Sequence, residues 1–90
     1  LASAEISQAK AYTARSLNSA TKDVGGWAQP GGPLYGLETA HMAAGRTLVT
    51  FGGGVPITVG GEVVGAVGVA GGSPDQDHEV ASAGADALAG

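Results

Sequence analysis

The stretch FGGGVPITVGGEVVGAVGVAGG, Phe51 to Gly72, carries nine glycines among its twenty-two residues, yet it is apolar and β-branched between them. Three readings compete: a phosphate-cradling loop, a low-complexity linker, or a sheet that needs its glycines. The first fails, because no GxGxxG spacing occurs in the chain and no Gly-Lys dipeptide supplies a Walker-type loop. The third explains the rest. TLVTF (Thr47 to Phe51), VPITV (Val55 to Val59) and EVVGAVGV (Glu62 to Val69) read as three strands, and the Gly60-Gly61 pair between the last two signals a two-residue hairpin turn. Pro56 has no amide proton to give a ladder, which places the start of its strand at an edge or beside a bulge. In the last strand, alternation puts Val63, Gly65, Val67 and Val69 on one face and Val64, Ala66, Gly68 and Ala70 on the other. The second face is nearly smooth, and bare strand positions mark the close approach of another backbone.

Outside this stretch the composition sets bounds. A chain of 90 residues is one domain at most and buries only about 60% of its surface on folding. Leu, Ile, Val, Met, Phe, Trp and Tyr together supply 22 residues, against 17 Ala and 17 Gly, so the core is small and burial is expected from a partner subunit or from further chain. Disorder does not fit, because only 13% of residues are charged and the mean hydropathy is positive. A net charge of −4 with four cations, Lys10, Arg15, Lys22 and Arg46, excludes nucleic acid as a partner. No apolar run approaches the length of a membrane span, and Leu1 begins no signal peptide, so no membrane role is expected. The missing initiator Met points to a processed chain or to one that starts inside a larger protein. The absence of cysteine excludes disulfides, thiolate metal sites and cysteine nucleophiles, and fits a cytoplasmic location.

Residues Ser3 to Ser19 read as a helix, with Ser3 as N-cap, Glu5 in the first turn and an apolar stripe of Ile6, Ala9, Thr13 and Leu17. Lys10 sits at the edge of that stripe, where its stem can cover the core while its amine stays in water. TKDVGGWAQPGGPLYG (Thr21 to Gly36) reads as a long loop, punctuated by two Gly pairs and two Pro. GLETAHMAA (Gly36 to Ala44) is a short helical piece carrying His41. After Gly72, Ser73-Pro74-Asp75-Gln76 is a capping box that opens a final helix, with Asp75, Asp77 and Glu79 at its positive end. Val80, Ala83, Gly84, Ala87 and Leu88 form its thin apolar face, expected to dock on the smooth strand face.

The order helix, loop, GGGVPI, hairpin, VVGAVGVAGG, QD and alanine-rich helix resembles the GlcG/HbpS family, which includes haem-binding proteins and the C-terminal domain of PduO-type cobalamin adenosyltransferases. AKAYTA (Ala9 to Ala14), GGGVPI (Gly52 to Ile57), EVVGAVGVAGGSPDQDHEVA (Glu62 to Ala81) and the alanine-rich end carry the likeness. It implies an α+β fold of profilin-like α/β/α layers around an antiparallel five-stranded sheet. It also implies that residues 1–90 are a single domain without the family's N-terminal helix and β-hairpin. Three strands are then expected here, the rest being missing, cleaved off or supplied by a complementary N-terminal chain.

The resemblance further implies haem or a related tetrapyrrole as ligand, with a cobalamin-type corrinoid as alternative, in a homo-oligomer. Haem iron takes an axial donor, usually His, and the chain offers His41 and His78. His78 lies among Asp75, Asp77 and Glu79, which favour its protonated form and an ordinary exposed role, so His41 is the candidate iron ligand. Lys10 and Arg46 are candidate partners of the propionates. Gly53, Gly54 and Pro56 join them as the GGGVPI contribution to a cofactor site. No catalytic set is defined: Glu38 and His41 lie three apart without a nucleophile, and Asp75, Asp77, His78 and Glu79 read as dipole-complementing acids around a histidine before they read as a metal site. Three function classes remain open. They are a haem or tetrapyrrole binding module, an accessory subunit that completes another chain's fold, and an enzyme acting on haem or a small organic molecule.

Overall fold

The computed structural model describes residues 2–33, 36 and 48–90. Its elements are α1 (Ala2–Leu17), α2 (Thr21–Trp27), β1 (Gly54–Val59), β2 (Glu62–Gly68) and α3 (Pro74–Leu88). The class is α+β. The expected helical piece with His41 lies outside the described residues, as does Arg46.

The hairpin forms as read. β1 and β2 pair antiparallel from Gly54↔Gly68 to Val59↔Glu62, and Gly60 and Gly61 take the positive φ values, 59° and 84°, that a tight two-residue turn demands. The register shifts between Ile57 and Thr58, leaving Val64 as the extra residue of a bulge. Near the turn, Gly90 donates to the Thr58 carbonyl and accepts from the Gly60 amide, so the chain's last residue lies along the outer edge of β1.

The expectation of three strands is corrected: among the described residues the sheet has two. The described part of the third run, Leu48 to Phe51, is tied down by a side chain instead of a ladder, because the buried Val49 amide donates to Thr13 Oγ1 at 2.9 Å. The loop expected over Thr21 to Gly36 begins with about two turns of helix, α2. Its glycines serve contact there. A Cβ on Gly25 would collide with the Thr50 carbonyl, so α2 lies directly on the segment leading into Phe51.

Helices cover both faces of the ribbon. α1 takes the smooth face, since a Cβ on Gly68 would run into the Ser7 carbonyl and stand 2.9 Å from the Ala11 nitrogen. α3, expected on that face, takes the other, with Gly84 against the Val67 methyls at 3.7 Å. The inward faces also differ from the sequence pattern. α1 buries Lys10, Thr13 and Ala14 while Ile6 stays 38% exposed, and α3 buries Asp77, Ala81 and Ala85 while Val80 faces outward and Leu88 is exposed at the helix end. Both rotations share one cause: Lys10 and Asp77 face each other, and their pairing turns each helix toward the small side chains beside them. Ser3 lies inside α1 and does not precede it.

Candidate functional site

Lys10 stands in the third turn of α1 and Asp77 in the first turn of α3, on opposite faces of the ribbon. Their side chains meet around its open end, where β1 begins and β2 finishes. Lys10 Nζ donates to Asp77 Oδ2 at 2.9 Å and to the Val69 carbonyl at 2.8 Å, and it lies 5.1 Å from the centre of the Phe51 ring. An ammonium has three protons, and these partners account for every direction available to a residue only 1% exposed. The expectation that the amine stays in water is therefore corrected. A buried ammonium is tolerable because a carboxylate, a carbonyl and a ring replace the solvent it lost.

Asp77 is held just as fully. Its Oδ1 accepts from the Gly72 amide at 2.9 Å, and the capping box sets the turn that presents it: Ser73 Oγ accepts from the Gln76 amide and Gln76 Oε1 accepts from the Ser73 amide. The hydrogen bond from Lys10 holds the Asp77 carboxyl below its ordinary range. Burial opposes that shift, while the Gly72 amide and the Lys10 charge reinforce it.

The triple glycine wraps this pair. Gly53 has φ 131°, and a Cβ there would stand 2.6 Å from Lys10 Nζ and 2.5 Å from the Val69 carbonyl oxygen. Gly54 lies against the Lys10 carbonyl, and its amide donates to Thr21 Oγ1 at 2.9 Å. A Cβ on Gly52 would meet the Pro74 carbonyl at 2.6 Å and His78 Cβ at 3.3 Å. So the GGG run admits neighbouring backbone and Lys10 on all three sides. Pro56 sits in mid-β1 opposite Ala66.

Phe51 and His78 flank Gly52. Phe51 is 46% exposed with Lys10 at its back. His78 is half-buried: Nε2 lies 3.4 Å from Ser82 Oγ one turn on, and Nδ1 is buried without a hydrogen-bond partner. The exposed role expected of His78 is corrected, since its neighbour Asp77 is engaged by Lys10 and Gly52 draws the histidine against the loop. Of the predicted site residues, Lys10, Gly53 and Gly54 come together, Pro56 lies further along β1, and His41 and Arg46 fall outside the described residues. Sequence reasoning missed Asp77 as a partner and Phe51 as a member. The signal for Asp77 was a lysine on an otherwise small-residue helix face with no acid at helical spacing to pair it. Among the described residues no group of three His, Cys, Asp or Glu side chains is placed to hold a metal ion.

Residues 1–86 match the family model described as haem-degrading protein HbpS-like. The chain belongs to the HbpS-like family. It is 43% identical over 84 residues to a 15.0 kDa protein of the dhaT-dhaS intergenic region of Citrobacter freundii, covering 93% of this chain and 57% of that protein. It is 41% identical over 81 residues to the corrinoid adenosyltransferase PduO of Salmonella typhimurium, covering 90% of this chain and 23% of PduO. Among solved structures, the protein ORFY of Klebsiella pneumoniae is similar with TM-score 0.82 and 38% identity, over 93% of this chain and 56% of that one. A PduOC:haem complex is similar with TM-score 0.82 and 36% identity, over 94% and 59%. The chain thus spans little more than half the length of the first of these relatives and about a quarter of PduO. Among the described residues, no helix of this HbpS-like chain is long and apolar enough to cross a membrane.

Proposed function

We propose that this chain is a binding module for haem or a related tetrapyrrole, acting as an oligomer. The observation that carries the reading is the likeness to the PduOC:haem complex, joined to membership of a family described as haem-degrading. The residues fit the group on two counts. Haem needs an axial donor, which the chain offers in His41, with His78, whose Nδ1 is buried without a partner, as the alternative. Haem also needs a flat apolar contact, which the exposed Phe51 ring offers. His41 remains the first candidate for the iron and Arg46 for a propionate. Lys10 enters as the residue that fixes Phe51 and Gly53, since its amine is bound to Asp77. When bound, haem supplies redox and oxygen chemistry, and this chain's residues hold and orient it.

Hemin added to purified chain is expected to give a Soret band that is lost in His41→Ala and kept in His78→Ala. Loss in His78→Ala alone moves the axial role to His78, and no band in the wild type ends the proposal. Cobalamin as competitor tests the corrinoid alternative. A second reading, an accessory subunit that completes another chain's fold, is favoured by the exposed Val64 and Val80, apolar surface that a further chain would cover. Copurification with such a chain, without any band, supports it. Catalysis requires measured turnover of haem or another small molecule that is lost when Lys10 or His41 is changed.

A further inference from the structure

Resting on that tetrapyrrole reading and deepening it, we infer that the outer face of Phe51 is the platform on which the macrocycle plane stacks. A single exposed phenylalanine is ordinary on a protein surface. This one differs in how it is held. The backbone before it is covered by Gly25 of α2, which lies against the Thr50 carbonyl, and the backbone after it by α3, through Gly52 beneath the Pro74 carbonyl. Two helices therefore clamp the residue on either side, and the ring is presented on fixed backbone in a bend between elements.

The ring's inner face is occupied as well. Lys10 Nζ lies 5.1 Å from its centre, and that ammonium cannot leave for solvent because Asp77 and Val69 hold it in a residue 1% exposed. Since the cation covers the inner face, the exposed 46% belongs to the opposite face and the edge. A cation behind an aromatic ring draws its π density inward, which suits the open face to an electron-rich planar partner. A tetrapyrrole is such a partner. On the other side of the bare Gly52 position stands His78, whose Cβ lies 3.3 Å from where a Gly52 Cβ would be.

The test titrates hemin and metal-free protoporphyrin IX separately into the full chain, following porphyrin absorbance, with Phe51→Leu and Phe51→Trp beside the wild type. Leu keeps apolar area and removes the π face; Trp restores it. Phe51→Leu is expected to weaken both ligands by about threefold to tenfold and Phe51→Trp to bind like the wild type. Phe51→Trp should melt like the wild type; Phe51→Leu, which takes the ring from the buried Lys10, should melt lower while keeping the wild-type circular dichroism spectrum at the titration temperature. Equal binding by Phe51→Leu and wild type overturns the platform while leaving the haem reading standing. Weakening confined to hemin also overturns it, because the effect then runs through the iron and not the plane. If the wild type binds neither ligand, the reading fails and the platform falls with it.

Discussion

At the scale of single residues the molecule turns on Lys10 and Asp77, which are 67 positions apart in sequence and 2.9 Å apart in space. Each was visible in the chain, Lys10 as a charge at the edge of an apolar stripe and Asp77 as one of three acids near a capped helix start. Their pairing was not, because a contact of that sequence separation leaves no periodic trace. The pair has a pH signature. The Asp77 carboxyl is held below its ordinary value of 3.8, so the folded state binds that proton more weakly than the unfolded state does. Its contribution to stability is then complete above the ordinary value and is lost as pH falls through the lowered folded value. Thermal melts followed by circular dichroism from pH 7 to 2 should show wild-type stability falling below about pH 4, from this group among other carboxylates. Asp77→Asn should be less stable at pH 7, because it leaves the buried Lys10 ammonium without its counter-charge. Its acid decline should be shallower. Equal acid slopes in the two proteins would remove Asp77 from this role.

Among the elements, the local signals were legible and the docking was not. The hairpin turn and the capping box each reside in four adjacent residues, and both form as their chemistry requires. Helix α2 was hidden because Gly25 and Gly26, which punctuate a loop in sequence, here allow a helix to touch the Thr50 backbone. The smooth strand face was read correctly as a place of close approach, but its occupant was exchanged, since small residues line both α1 and α3. The position that decides the matter is Gly68, whose missing Cβ leaves room for the Ser7 carbonyl and the Ala11 nitrogen. Both are backbone atoms of a helix, and neither can rotate aside. Gly68→Ala should therefore push α1 off the ribbon and cost about 1–3 kcal/mol, read as a lower urea midpoint at unchanged m-value. Gly61→Ala offers the contrast. No atom lies within reach of a Cβ there, so its cost comes from positive φ alone.

For the whole molecule, the deficit of large apolar residues is sharpened by where those residues go. The pairing of Asp77 with Lys10 turns α3 so that Asp77, Ala81 and Ala85 face inward, leaving Val80 60% exposed on its outer side, while Leu88, the helix's last residue, is 62% exposed at its end. Ala83 and Ala87 are exposed there too, and together with Val80 they form an apolar stripe at helical spacing on the outside of a small protein. At the bulge, Val64 is 57% exposed as well. A chain in which half of the described buried apolar residues are alanine and Val64 and Val80 stay outside gains more from covering that stripe than from further packing of its interior. The proposed oligomer follows from this arrangement, with a second copy as the partner. Sedimentation at micromolar concentration should show an assembly larger than one chain. Val80→Asp should shift it toward the monomer, because the carboxylate would lose its water where the stripe is covered. The same variant should keep the wild-type circular dichroism spectrum, as position 80 faces away from the core. A wild-type chain that sediments as a monomer, or a Val80→Asp chain that assembles as the wild type does, removes this stripe as the contact between copies.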